Sequence, residues 1–161
     1  MTRKEYIVNG QVQGVGFRPF VYRTAVSLGL TGFVLNTSEG VKIEVQGEDG
    51  DVRDLSRALR NDLPPLARLI RLEEKDIPFD PKEEEFRISG SAGEKKHQVL
   101  ISPDVSVCED CLRELFDPDD PRYLYPFINC TNCGPRYTIT RCIPYDRPGT
   151  SMACFPMCPT C

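Results

Sequence analysis

All eight cysteines of this 161-residue chain lie at or beyond position 108. A chain divided this way cannot be stabilised by one kind of physics throughout. The cysteine-free part must fold on an apolar core. The part from Cys108 to Cys161 is about 54 residues long, too short to bury much surface, and needs a staple.

The spacing says what kind of staple. Cys108-Glu109-Asp110-Cys111 is followed by 18 residues and then Cys130-Thr131-Asn132-Cys133. A Cys-x2-Cys pair brings two thiolates to one metal from a tight turn. Two such pairs give the four soft ligands that tetrahedral zinc prefers, and the separation is that of zinc sites. Four thiolates leave no open coordination position, so the site is expected to be structural. Disulfides and redox catalysis are the alternatives. No apolar leader precedes the strand-like N-terminus, so a cytoplasmic location is expected, and that setting disfavours disulfides. A third pair, Cys158-Pro159-Thr160-Cys161, is half of a possible second site, with no matching pair after it. Cys142 and Cys154 read as small buried residues, and His97 as a solvated residue of a polar linker.

The first part shows alternating and helical periods in turn. Tyr6, Val8 and Val12 fall on one face of a strand. Phe17, Val21, Ala25 and Leu28 recur at helical spacing, with Gly29 as the stop. Residues 31–36 and 41–46 read as a hairpin around Ser38-Glu39-Gly40. Val52, Leu55, Leu59 and Leu63 mark a second helix, ended by Pro64-Pro65. Residues 69–73 and 85–89 are short strand candidates. This order predicts an α+β, ferredoxin-like βαββαβ fold: an antiparallel sheet, two helices on one face and a small extra strand. The expected organisation is a first domain over 1–90, a small, polar linker over 91–104, and a zinc-stabilised cysteine module over 105–161.

Between the first strand and first helix lies Gln13-Gly14-Val15-Gly16-Phe17-Arg18. A glycine loop at a helix N-terminus presents backbone N–H groups and the positive end of the helix dipole to an anion. The Arg18 guanidinium can fork onto two phosphate oxygens. On this reading Gly14, Val15, Gly16, Phe17 and Arg18 supply amides to a phosphate and Arg18 adds charge. Glycine loops ahead of helices also occur with no ligand, and Asn36 alone reads equally well as a turn-former at a strand end.

Gly10-Gln11-Val12-Gln13-Gly14-Val15-Gly16-Phe17-Arg18 resembles the acylphosphatase signature, and Asn36 in Leu35-Asn36-Thr37-Ser38-Glu39-Gly40 matches the second motif of that family. The resemblance implies that Arg18 binds phosphate and Asn36 orients the attacking water. An acyl phosphate is already activated, so its hydrolysis requires positioning and charge stabilisation more than a strong base. Residues 1–90 accordingly contain neither cysteine nor histidine.

The cysteine part carries its own resemblance. Phe116-Asp117-Pro118, Tyr125-Pro126-Phe127-Ile128-Asn129-Cys130 through Tyr137, Pro144-Tyr145-Asp146-Arg147-Pro148 and Met157-Cys158 are similar to the hydrogenase-maturation carbamoyltransferases of the HypF type. So is Gly16-Phe17-Arg18-Pro19-Phe20-Val21-Tyr22-Arg23. That resemblance implies carbamoyl phosphate as substrate and a hydrogenase-maturation protein as partner. It implies two cysteine repeats, of which this sequence ends inside the second, so that the transferase domains are expected to be absent and the chain to be an N-terminal piece. A hydrolase of carbamoyl phosphate is the leading expectation. The alternative is a zinc-dependent protein-interaction module on a non-catalytic scaffold.

Charge excludes some other classes. The net charge is −4 and the pI about 5.1, with arginines scattered among acids around the cysteines, so no nucleic-acid partner is expected. No stretch approaches the roughly 20 apolar residues that cross a bilayer, so no membrane partner is expected either.

Overall fold

The computed structural model describes residues 1–90, 105–130, 132–134, 136–142 and 147–155. The expected linker at 91–104, His97, and the terminal pair Cys158 and Cys161 lie outside these residues.

The first part folds as β1 (Thr2–Gln11), α1 (Phe17–Ser27), β2 (Thr31–Asn36), β3 (Val41–Gly47), α2 (Asp49–Asn61), β4 (Arg68–Asp76) and β5 (Phe86–Ile88). The sheet order is β4-β1-β3-β2-β5. The pairs β1–β3, β1–β4 and β2–β3 are antiparallel, as the ferredoxin-like order requires. The short β5 adds to β2 in parallel, which makes the sheet mixed. The element order and the hairpin match expectation. The fourth strand is longer than the 69–73 expected.

Period-two burial turns one face of the sheet to the helices. Tyr6 and Val8 of β1, Val34 of β2, and Val41, Ile43 and Val45 of β3 are all fully buried there. Phe17, Val21 and Ala25 of α1 and Val52, Leu55 and Leu59 of α2 close the same core. Each large apolar side chain so removed from water stabilises the fold by about 1.5–3 kcal/mol.

The cysteine part has a far smaller core. Helix α3 (Glu109–Phe116) is followed by short 3-10 turns at Tyr137–Ile139, Arg147–Gly149 and Ser151–Cys154. Its buried cluster is Cys111, Ile128 and Cys133, with Val107, Cys108, Leu115 and Cys130 packed around it. Two of the three buried residues are cysteines, so the cluster depends on what their sulfurs bind. Cys142 and Cys154 correct the sequence expectation: both are exposed. Single 3-10 turns enclose too little volume to bury a side chain at every small residue.

Candidate functional site

The loop after β1 reaches helix α1 through two left-handed glycines. Gly14 has φ 72° and Gly16 has φ 76°, and Gly16 is the N-terminal cap of α1. A side chain at either position would be strained, since that region suits glycine. Val15 and Phe17 place their side chains in the core. The loop therefore presents mostly backbone to its outer side. The first hydrogen bond of the helix ladder is donated by the Phe20 amide to the Gly16 carbonyl, at 3.0 Å. The N–H groups of Phe17 and Arg18 precede that bond, and the first turn contains no acidic residue to occupy the dipole end. Arg18 is half-buried in this turn.

The second motif residue, Asn36, is the last residue of β2 and sits on its buried face with Val34. It is fully buried. Neither its Nδ2 nor its Oδ1 has a hydrogen-bond partner among the described residues. A buried amide without a protein partner costs about 1–3 kcal/mol unless a water, ion or ligand meets it, which marks this strand end as a place where a polar group can bind.

Gln13 joins the two motifs. Its side chain is buried, and its Nε2 donates to the carbonyl of Thr37 at 2.8 Å and to that of Gly40 at 2.8 Å. Thr37 follows Asn36 directly, and its amide closes the β2–β3 turn by donating to Gly40 at 2.9 Å. The glycine loop and the strand end carrying Asn36 are thus held as one unit. Sequence reading gave Gln13 no role of its own. A lone polar residue before a glycine shows no period, and its partners lie 24 and 27 residues away.

In the second part, Cys108 caps α3, Cys111 lies one turn inside it, and Cys130 and Cys133 come from a later tight turn. All four Sγ atoms lie within 4.8 Å of one another. The Cys108–Cys130 separation is 3.4 Å, and Cys111–Cys133 and Cys130–Cys133 are 3.9 Å each. Tetrahedral thiolates at about 2.3 Å from zinc stand about 3.8 Å apart, so the cage fits that ion. It does not fit disulfides, since a bonded pair would stand at about 2.05 Å. Burial pushes the Cys111 and Cys130 thiols up, and for Cys111 the surrounding thiols add to that. Burial acts in the same direction on Cys133, but the backbone amides of Cys130, at 3.3 Å, and Cys108, with the Arg136 guanidinium at 3.2 Å and the Cys111 thiol, outweigh it and bring the thiol down to about 7. The Asn132 amide also donates to the Cys130 sulfur, at 3.3 Å. Donors aimed at sulfur stabilise thiolates, the form that binds metal.

A split βαβ sheet with a glycine loop at its first helix, followed by a four-cysteine cage, defines an acylphosphatase-type domain joined to a metal-binding finger. The Acylphosphatase family model matches residues 4–88, and the model described as HypF finger matches residues 107–140. The chain belongs to the acylphosphatase family and carries a HypF finger behind that domain.

The Carbamoyltransferase HypF2 of Cupriavidus necator is 51% identical over 152 residues, which is 94% of this chain and 19% of that protein. An acylphosphatase of Clostridium perfringens is 42% identical over 87 residues, 53% of this chain and 97% of that enzyme. A solved full-length HypF in a phosphate- and nucleotide-bound form superposes with a TM-score of 0.92 at 47% identity, over 99% of this chain and 21% of that one. The acylphosphatase of Bacillus subtilis superposes with a TM-score of 0.52 at 28% identity, over 55% of this chain and 99% of that one. The chain thus spans about a fifth of the length of the carbamoyltransferases it matches. The acylphosphatase domain supports a hydrolase-type activity, and the finger supports a metal site. No described helix is long and apolar enough to cross a membrane.

Proposed function

We propose that residues 1–90 hydrolyse acyl phosphates, with carbamoyl phosphate the physiological substrate, as one step in carbamoyl transfer for [NiFe]-hydrogenase maturation in the cytoplasm. The observation that carries this reading is the orphaned, buried amide of Asn36, tied through Gln13 to the glycine loop. The amides of Gly14, Val15, Gly16, Phe17 and Arg18 and the Arg18 guanidinium would hold the phosphoryl oxygens. Asn36 would orient a water in line with the scissile bond. The water oxygen bonds to phosphorus as the bond from phosphorus to the bridging oxygen breaks. Carbamate leaves with the electron pair, and a phosphoryl oxygen takes the proton of the water. No strong base is needed, because the leaving group is a good one and the charge is met by fixed donors.

Residues 105–161 form, on this reading, a zinc-stabilised module behind a linker at 91–104. Cys108, Cys111, Cys130 and Cys133 would hold one zinc, which supplies cross-linking that so small a core lacks. A hydrogenase-maturation protein would be the partner. Exposed Phe116, Leu124, Phe127 and Tyr137 favour a second reading for this module, as a docking surface for another protein.

The test is phosphate release from carbamoyl phosphate and acetyl phosphate by the wild type, Arg18→Ala and Asn36→Ala. Release by the wild type alone supports the assignment. Equal release by Arg18→Ala would remove the site from this loop, and no release by the folded wild type would leave the docking reading.

A further inference from the structure

The tight turn that carries Cys130 and Cys133 faces the glycine loop across Gly134. Cys130–Gly134 forms a tight knuckle, closed by the Gly134 amide donating to the Cys130 carbonyl at 2.9 Å. Gly134 has φ 74° and no side chain, which lets it stand directly on the first domain. A Cβ built there would lie 3.0 Å from Leu66 Cδ1, 3.8 Å from the Gly14 carbonyl oxygen and 3.9 Å from Val15 Cγ1. Leu66 is itself anchored to the end of β1, where the Gln11 side-chain Nε2 donates to its carbonyl at 2.9 Å. The space a side chain would take at Gly134 is thus already bounded by Leu66 and by two consecutive loop residues.

We propose that the Cys130–Gly134 knuckle is a positioning element of the glycine loop, so that metal loading of the cage and anion binding at the loop strengthen each other. The part that concerns the anion rests on the phosphate-binding reading above. The loop turns on two left-handed glycines, which have more conformational freedom to lose than other residues. Part of the cost of binding an anion there is the ordering of Gly14–Gly16. A knuckle tied by two metal–sulfur bonds to Cys108 and Cys111 and standing against Leu66 beside Gly14 and Val15 removes that freedom beforehand. Without metal, Cys130 and Cys133 are no longer tied to Cys108 and Cys111, and the knuckle stops being a rigid wall. Coupling of this kind is reciprocal, so the factor by which zinc tightens phosphate is the factor by which phosphate tightens zinc.

The experiment uses the full chain, zinc-loaded and chelator-stripped. Amide hydrogen exchange is followed at Val15–Arg18, inorganic phosphate is titrated into both forms, and zinc is titrated against a competing chelator with and without phosphate. Slower exchange at the loop and about fivefold or tighter phosphate binding in the zinc form, with the same factor on zinc, is expected. Equal loop exchange and equal phosphate affinity in the two forms would overturn the proposal, as would a chain that binds no zinc. Absence of phosphate binding in both forms would refute the phosphate-site reading, while the exchange comparison would still decide the positioning role. A variant cycle keeps the contact itself in question. Gly134→Ala should speed loop exchange in the zinc form, and Leu66→Ala should offset part of that effect by making room for the methyl. The strain of alanine at positive φ is common to both backgrounds and cancels in the cycle. Strict additivity of the two substitutions would show that the contact does not carry the coupling.

Discussion

Replacing Asn36 by alanine should stabilise the first domain while abolishing its chemistry. Both polar atoms of the Asn36 side chain are buried with no partner among the described residues. Removing an unsatisfied buried amide recovers about 1–3 kcal/mol. Against that stand three lost side-chain heavy atoms, each with a few dispersion contacts of about 0.1–0.2 kcal/mol. The lower strand propensity of alanine costs a few tenths more. The balance favours the variant by about 1 kcal/mol, a rise in melting temperature of about 4–8 °C for a domain of this size. The turnover number for acyl-phosphate hydrolysis should fall by at least about 100-fold, the usual scale for losing one aligned polar contact in a transition state. The assay is a thermal melt and steady-state phosphate release on the same preparation. A variant that melts lower than the wild type would show that the amide has a structural partner and that its orphaned state is not a functional reserve. A variant that melts higher with undiminished turnover would remove Asn36 from the mechanism.

Other perturbations separate the remaining parts of the account. Arg18→Ala should leave the fold intact and reduce kcat/KM by at least about 100-fold, read from steady-state phosphate release beside a circular-dichroism spectrum. Gln13→Leu should destabilise the domain by about 1–3 kcal/mol by removing the side-chain donor shared by the Thr37 and Gly40 carbonyls, of which Gly40 keeps the Thr37 amide, and should lower turnover by misplacing the loop relative to Asn36; denaturant melts with matched kinetics would show both. Cys111→Ser should reduce zinc content well below one per chain by elemental analysis and abolish helical protection at Glu109–Phe116, while leaving the melting of the β1–β5 core in place. Leu55→Ala, in the fully buried face of α2, should cost about 2–5 kcal/mol without changing metal content.

The parts of the fold legible in the sequence were those where burial is one-sided. Tyr6 and Val8 alternate because one face of β1 meets the helices, and Phe17, Val21 and Ala25 repeat at helical spacing for the same reason. Strand β4 is an edge, with only Leu69 and Leu72 half-covered, so its charged stretch to Asp76 gave no period from which to read its length. The parallel pairing of β5 with β2 depends on where the chain returns across the sheet, which local pattern does not encode. Among site residues, the cysteine spacing announced the four-sulfur cage, since ligand geometry is fixed by short turns at both ends. Arg18 and Asn36 are marked by motif resemblance, but the bonds that hold their segments together come from Gln13, which lies in the same motif and whose partners, 24 and 27 residues on, show in no local pattern. The close approach of Gly134 to Leu66 and the glycine loop joins distant segments with no sequence period behind it. Residue type alone suggests burial for Cys142 and Cys154, but both are exposed because their segment has almost no interior.

The central claim is that water attacks phosphorus at the Gly14–Arg18 loop, and isotope labelling tests it most directly. Carbamoyl phosphate hydrolysed by the full chain in 18O-labelled water should yield phosphate carrying one labelled oxygen, with release lost in Arg18→Ala. Enzyme-dependent phosphate without label, or labelled phosphate formed equally fast by Arg18→Ala, would contradict the account.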